Sequence, residues 1–301
     1  MPLFWGNSPT AKRLNSLKLN CRKNSQTLLL WSLSGYRPKA TNPNIFQKKQ
    51  TTSEPISITF VYDSITIISE SVATIAFKLQ QSLFLRDPDS TELGQKIIKS
   101  SIRLIDTLGF EDFTFKKLAD EIQSTEASVY RYFENKHRLL LYLIDWYWTW
   151  LKYKIDFATN NIHDPKEKLT ICLKLLTEET KQDVYSEAMD GKALQRIVMA
   201  EFEKTYLTKQ VDSDNKDGVF LPFKAVCKCI AEIIKEVNPA FPFPSTLAST
   251  LILSINHQLY YAEHLPSLTD IKFNPHKHYD KLFEFMHVLT FNTLNTRYHV
   301  E

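Results

Sequence analysis

Residues 109–140 read GFEDFTFKKLADEIQSTEASVYRYFENKHRLL, and this stretch constrains the fold more than any other part of the 301-residue chain. It encodes two short helices joined by a tight turn, followed by the start of a third. Thr114 is placed to cap the first short helix with its hydroxyl, and Phe115, Leu118, Ala119 and Ile122 fall on one helical face. The turn is expected at Gln123-Ser124. Thr125 can cap the second short helix, which turns Val129 and Phe133 inward, four residues apart. Ser128, Tyr130, Arg131 and Tyr132 are then left to point elsewhere. Two helices crossing in this way make a helix-turn-helix.

The residues that carry a family resemblance are Gly109-Phe110, Thr114, Leu118-Ala119, Thr125, Ser128-Val129-Tyr130, Tyr132-Phe133, Lys136 and Leu139-Leu140. In order and spacing they resemble the tetracycline-repressor (TetR) family, with motif detail over roughly residues 92–143. The resemblance implies a cytoplasmic, bacterial, ligand-responsive transcription regulator, typically a repressor that works as a homodimer on double-stranded DNA. Two positions depart from the family pattern: Gln123 stands where a glycine is usual, and Ser124 where an aliphatic residue is usual. A non-glycine residue at positive φ costs a modest amount, so the turn is expected to be kept under slight strain.

The resemblance assigns DNA contact to Thr114, Lys116, Thr125, Ala127, Ser128, Tyr130, Arg131, Tyr132 and Lys136. Ser128 and Tyr130 lie near the start of the second short helix, where such proteins meet base edges, and Ala127 lets that helix approach closely. Tyr132 and Lys136 resemble the phosphate-contacting positions. The unit itself is not basic, because residues 91–140 hold eight basic and eight acidic side chains. Its case rests on where Lys116, Lys117, Arg131, Lys136 and Arg138 stand.

Ahead of this unit, Asp87-Pro88-Asp89-Ser90 is a turn and helix-start cluster. A long helix over about residues 91–108 follows, with Gly109 suited to end it. Behind it, a connecting helix is expected from Asn135 to about Asn160. Its Tyr142, Trp146, Trp150, Tyr153 and Phe157 recur every three or four residues as an aromatic stripe. Two readings of the stripe stay open: it docks the DNA-binding unit onto the body, or Trp146, Trp150, Tyr153 and Phe157 line a pocket for an apolar or aromatic effector. Further helices are expected over about 165–180, 186–207, 221–237, 245–264 and 275–294, with VDSDNKDG (211–218) as a polar break. The last helix is apolar over more of its circumference than a surface helix needs. In a TetR-like protein a second subunit covers it, and Leu251, Ile252, Leu253, Ile255, Leu259 and Tyr260 are compatible with the same interface.

The class is therefore all-α, for which thirteen prolines and only six glycines also argue. The expected organisation is a basic, disordered extension over 1–88, a three-helix DNA-binding domain over 89–140, and a helical effector-binding and dimerisation domain over 141–301. The extension holds nine basic residues against one acid in 1–54, while the whole chain carries +3. It either adds nonspecific DNA affinity, binds a partner, or lies upstream of a working start near Arg86. Residues 56–68 are β-branched and can form a strand, yet no partner strand is visible. Leu28-Leu29-Leu30-Trp31 is too short to span a bilayer, so no membrane association is expected.

Four cysteines, at 21, 172, 227 and 229, suit a reducing compartment better than a disulfide framework. Cys227 and Cys229 fall on different faces of a helix, and His276-x-His278 lacks a third ligand, so neither pair is read as a metal site. No phosphate loop, nucleophile elbow or carboxylate pair occurs; the chain is read as a non-enzyme without a cofactor. The alternative reading is a DNA-binding regulator with no small ligand, controlled by a protein partner.

Overall fold

In the computed structural model, residues 60–62, 65–70, 72–77, 79–178, 190–272, 274 and 278–296 are described. The basic arm over 1–54, Cys21, His276 and the start of the helix expected at Ser186 lie outside them. The helical body follows the all-α expectation. Among the described residues ten α-helices run through it: α1 Glu92–Leu108, α2 Phe115–Glu121, α3 Glu126–Tyr130, α4 Lys136–Thr159, α5 Pro165–Thr177, α6 Gly191–Tyr206, α7 Val211–Lys216, α8 Leu221–Val237, α9 Pro244–His264 and α10 His278–Asn295.

The starts of the early helices are set by local chemistry. Thr91, Thr114, Thr125 and Asn135 each hold extended backbone, and each side chain accepts a hydrogen bond from the backbone N–H three residues on. Every one satisfies a donor that the first turn would otherwise leave unpaired, worth about 1 kcal/mol each. Asp164 caps α5 ahead of Pro165, whose missing N–H is no loss at that position. Gly109 ends α1 at φ 79°, a conformation that L side chains resist.

Two expectations need correction. Residues 211–218, read as a break, begin with helix α7, because Asp214 is pulled into the core where Arg138 meets it at 3.0 Å. A short polar run becomes helical when a distant partner supplies the buried ion pair. The strand expected over 56–68 also finds partners after all. β1 (Phe60–Tyr62), β2 (Ile65–Glu70) and β3 (Val72–Phe77) form an antiparallel sheet in the order β1-β2-β3, with Ile65 opposite Phe77. The second and third strands follow so closely that the pairing is local, and the sequence conceals it because VATIAF carries no alternation to announce a strand.

The packed region also begins earlier than residue 89. Phe77 and Leu79 are buried, and Leu83 is fully so. Behind them the core runs along α4, whose residues 139–148 are all buried, and continues into α5, α6, α8 and α9.

Candidate nucleic-acid interface

The helix-turn-helix is built on α1. Ile97, Ile98, Ile102 and Ile105 form its inner face, and Phe113, Leu118, Val129 and Phe133 close the unit with at most 2% exposure. Arg103 of α1 pairs with Glu121 of α2. Between α2 and α3, Gln123 takes φ 53°, so the turn keeps a left-handed residue despite having no glycine there. Ser124 N–H donates to the Ala119 carbonyl at 2.9 Å and closes the turn.

The outward face differs in part from the sequence reading. Thr114, Lys116, Thr125, Ala127, Tyr130 and Arg131 are exposed. Tyr130 is 48% exposed and its ring stands edge-on to Phe115 at 5.0 Å. Thr114 and Thr125 have their hydroxyls engaged as caps. Ser128, read as a base contact, is buried, and its Oγ sits between Thr125 Oγ1 at 2.9 Å and Arg131 Nη2 at 3.1 Å. It steadies the start of α3.

Tyr132 and Lys136, read as phosphate contacts, are spent inside the unit. Tyr132 is 2% exposed and its hydroxyl shares a hydrogen bond with Thr91 Oγ1 at 2.7 Å. The Lys136 ammonium donates to the carbonyls of Phe110, Glu111 and Phe113 at 3.0, 2.9 and 3.2 Å, and stands 4.8 Å from the centre of the Phe110 ring. An ammonium has three donors, and all three are used. Arg138 likewise turns inward to Asp214. Lys136→Met is therefore expected to lower unfolding stability by about 2 kcal/mol, the order for losing charge-assisted bonds to the loop ahead of α2. Urea unfolding of the two proteins measures it; equal midpoints would show the three carbonyls to be served by water instead.

The aromatic stripe of α4 is largely covered. Trp146 and Trp150 are 6% and 4% exposed and lie nearly parallel, with centroids 6.4 Å apart. Phe77 of β3 packs edge-on against Trp146 at 5.3 Å and against Tyr153 at 6.2 Å. Tyr153 stacks with Phe157, which remains 53% exposed. A cavity of about 300 Å³ lies elsewhere, between α1, α6 and α9, and none of the four stripe residues lines it. Its walls include Ile105, Asp106, Arg196, Glu201, Tyr260 and Glu263. Arg196 crosses from α6 to Asp106 of α1 with two bonds, at 2.8 and 2.7 Å, which links the helix-turn-helix to the body at the cavity rim.

Within α4, Asp145 is 3% exposed, and burial pushes its carboxyl up to about 8. Neither its Oδ2 nor the Trp148 Nε1 has a hydrogen-bond partner among the described residues. Cys172 is buried, while Cys227 and Cys229 are half-buried. Burial raises all three thiols, to about 12 for Cys172 and about 11 for Cys227, which keeps them protonated and unreactive near neutrality. Among the described residues, no helix is long and apolar enough to cross a membrane.

This arrangement, a capped helix-turn-helix of α2 and α3 supported by α1 and joined to a helical body, has the fold of the helix-turn-helix class. Residues 97–143 match the family model described as bacterial regulatory proteins, tetR family, so the helix-turn-helix is of the TetR type on the residues that suggested it. No curated protein matches the chain. Among solved structures it is similar to AibR in complex with isovaleryl coenzyme A and operator DNA, at 15% identity and TM-score 0.47, over 65% of this chain and 97% of that one. It is also similar to the fatty acid degradation regulator FadR from Bacillus halodurans, at 17% identity and TM-score 0.47, over 67% and 98%. The ketosteroid transcriptional regulator KstR2 of Mycobacterium tuberculosis follows at 11% identity and TM-score 0.46, over 65% and 92%.

Proposed function

We propose that this TetR-type regulator is a repressor that binds a near-palindromic operator as a homodimer and leaves it when a small effector binds. The observation that carries the reading is the family match laid over α1, α2 and α3, with Tyr130, Lys116, Ala127 and Arg131 all on the exposed side. In this reading residues 89–140 hold the DNA, residues 141–301 hold the second subunit, and the effector sits where the two parts meet. Tyr130 and Ala127 face the groove, while Lys116 and Arg131 meet flanking phosphates. The two copies set their recognition helices about 34–36 Å apart, one turn of duplex.

The effector seat we favour is the cavity between α1, α6 and α9 rather than the aromatic stripe. Phe77 occupies much of the stripe, whereas the cavity reaches the Arg196–Asp106 link between the two parts. Its charged walls suit an effector with polar groups on an apolar body, in place of the apolar or aromatic ligand that the stripe suggested. Binding there releases DNA if the effector prefers a state in which that link is rearranged.

Fluorescence anisotropy with the full chain on the DNA upstream of its own gene tests the central claim. Tight, salt-sensitive binding is expected, weakened at least about tenfold by Tyr130→Ala, a surface change that leaves the core intact. If no sequence selected from random DNA is preferred over bulk DNA, the regulator reading fails.

A further inference from the structure

α3 spans only five residues, far too few to hold a helix by its own hydrogen bonds. Its pose must come from contacts at its two ends. The N-terminal end is fixed by the Thr125 cap. The C-terminal end runs into Tyr132, and there the chain ahead of α1 does the holding.

Leu85 N–H donates to the Tyr132 carbonyl at 2.8 Å. The Arg86 guanidinium lies over the Tyr132 ring, 5.4 Å from its centre, and the Tyr132 hydroxyl bonds Thr91. Backbone, ring and hydroxyl of one residue are thus all held by a single stretch. The same stretch reaches the body. Phe84 stands edge-on to Tyr142 of α4 at 6.0 Å, and the Tyr142 hydroxyl donates to Asp89 Oδ2 at 3.2 Å. Leu79 and Leu83 are buried, and Phe77 seats against Trp146 and Tyr153. Pro88 presses so closely on α1 that a Cβ at Gly94 would stand 2.2 Å from its carbonyl oxygen.

We propose that Phe77 and residues 79–91 form a strap that fixes the recognition segment Glu126–Tyr132 against the body, with Tyr132 as the joint through which it acts. Tyr132 and Leu85 are positioning residues in this account, not DNA contacts. The effect on operator binding rests on the regulator reading above; the holding of α3 does not.

Two variants of the full chain test it by hydrogen exchange read by mass spectrometry. Gly94→Ala forces Pro88 off α1, although alanine inside a helix is otherwise favoured by about 1 kcal/mol. Leu85→Pro removes the N–H given to Tyr132. Leu85 itself is 67% exposed, and Phe84 already has the extended backbone, φ −142° and ψ 154°, that a residue before proline adopts. In both, amides of residues 126–133 are expected to exchange at least about tenfold faster, with the buried middle of α4 unchanged. Operator affinity should fall by a similar factor, whereas Tyr130→Ala lowers affinity without changing exchange. Unchanged exchange over 126–133 in both variants overturns the strap, as does an equal acceleration throughout the body, which would mean general loosening. If the wild-type chain has no operator, the exchange result still decides the strap, and only the DNA consequence falls.

Discussion

Asp145→Asn is expected to stabilise the fold by about 4 kcal/mol at about pH 9 and to destabilise it by about 1–2 kcal/mol at about pH 4, where only the cost of the unpartnered amide remains. Asp145 lies in the middle of α4, 3% exposed, and burial raises its carboxyl from the ordinary 3.8 to about 8. Below about pH 4 the folded and unfolded chains both hold the proton, and the residue adds no linked cost. As the pH rises, the unfolded chain releases its proton while the folded chain keeps it. Stability then falls until the folded carboxyl ionises near pH 8, and levels beyond that. A displacement of this size amounts to about 6 kcal/mol at its upper bound. The asparagine amide inherits the unpartnered position of Oδ2, which takes back about 1–3 kcal/mol. Urea unfolding across this pH range, compared between wild type and variant, isolates the one group because every other titration is shared. Parallel stability curves would mean that Asp145 stays ionised, with a partner or water at its carboxylate.

The second large effect is expected on α10. Phe285, Val288 and Leu289 are 50%, 52% and 38% exposed, on a strip of the helix beside the buried Leu282, Met286 and Thr290. An exposed apolar strip of this kind marks an association surface, and burying each such side chain contributes about 1.5–3 kcal/mol. In a two-fold dimer each residue counts twice. The paired change Phe285→Asp with Val288→Asp is therefore expected to raise the dimer dissociation constant by more than about 100-fold, since it removes apolar area and adds charge to the same patch. Sedimentation equilibrium reads this directly, and operator affinity should fall with it as the two half-sites become independent. A wild-type chain that sediments as a monomer at micromolar concentration would remove the dimer from the proposal. Of the α9 residues first expected at such a surface, Leu251, Ile252, Ile255 and Leu259 are inside the protomer, packed into its own core, whereas Leu253 and Tyr260 are half-buried.

Much of the fold was legible because its signals are local. Thr114, Thr125 and Asp164 cap the helices they were expected to cap, and Thr91 and Asn135, near which helices were expected to begin, cap theirs, since a cap needs only its own side chain and the next three residues. The turn at Gln123 is also local, its left-handed backbone demanded by the crossing of α2 and α3. At the candidate interface, exposure divides side chains that sequence spacing treats alike. Tyr130 and Tyr132 are two residues apart and chemically identical, yet one is half exposed and the other is enclosed. Spacing along a five-residue helix cannot separate them. The difference is made by Leu85 and Thr91, a remote stretch that closes over one tyrosine and not the other.

Taken alone, the chain's order of residues determined most of the helices, the caps at Thr114, Thr125 and Asp164, the left-handed turn and the type of the helix-turn-helix, because each depends on groups within one or two turns of each other; α7 needed the distant Arg138. Tertiary structure alone decided which side chains of that unit remain free. Lys136 is engaged by three carbonyls, Arg138 by Asp214, and the α4 stripe by Phe77. A cation or aromatic ring is committed to the nearest partner that also lacks water, and which partner that is depends on chain segments brought together only by the fold.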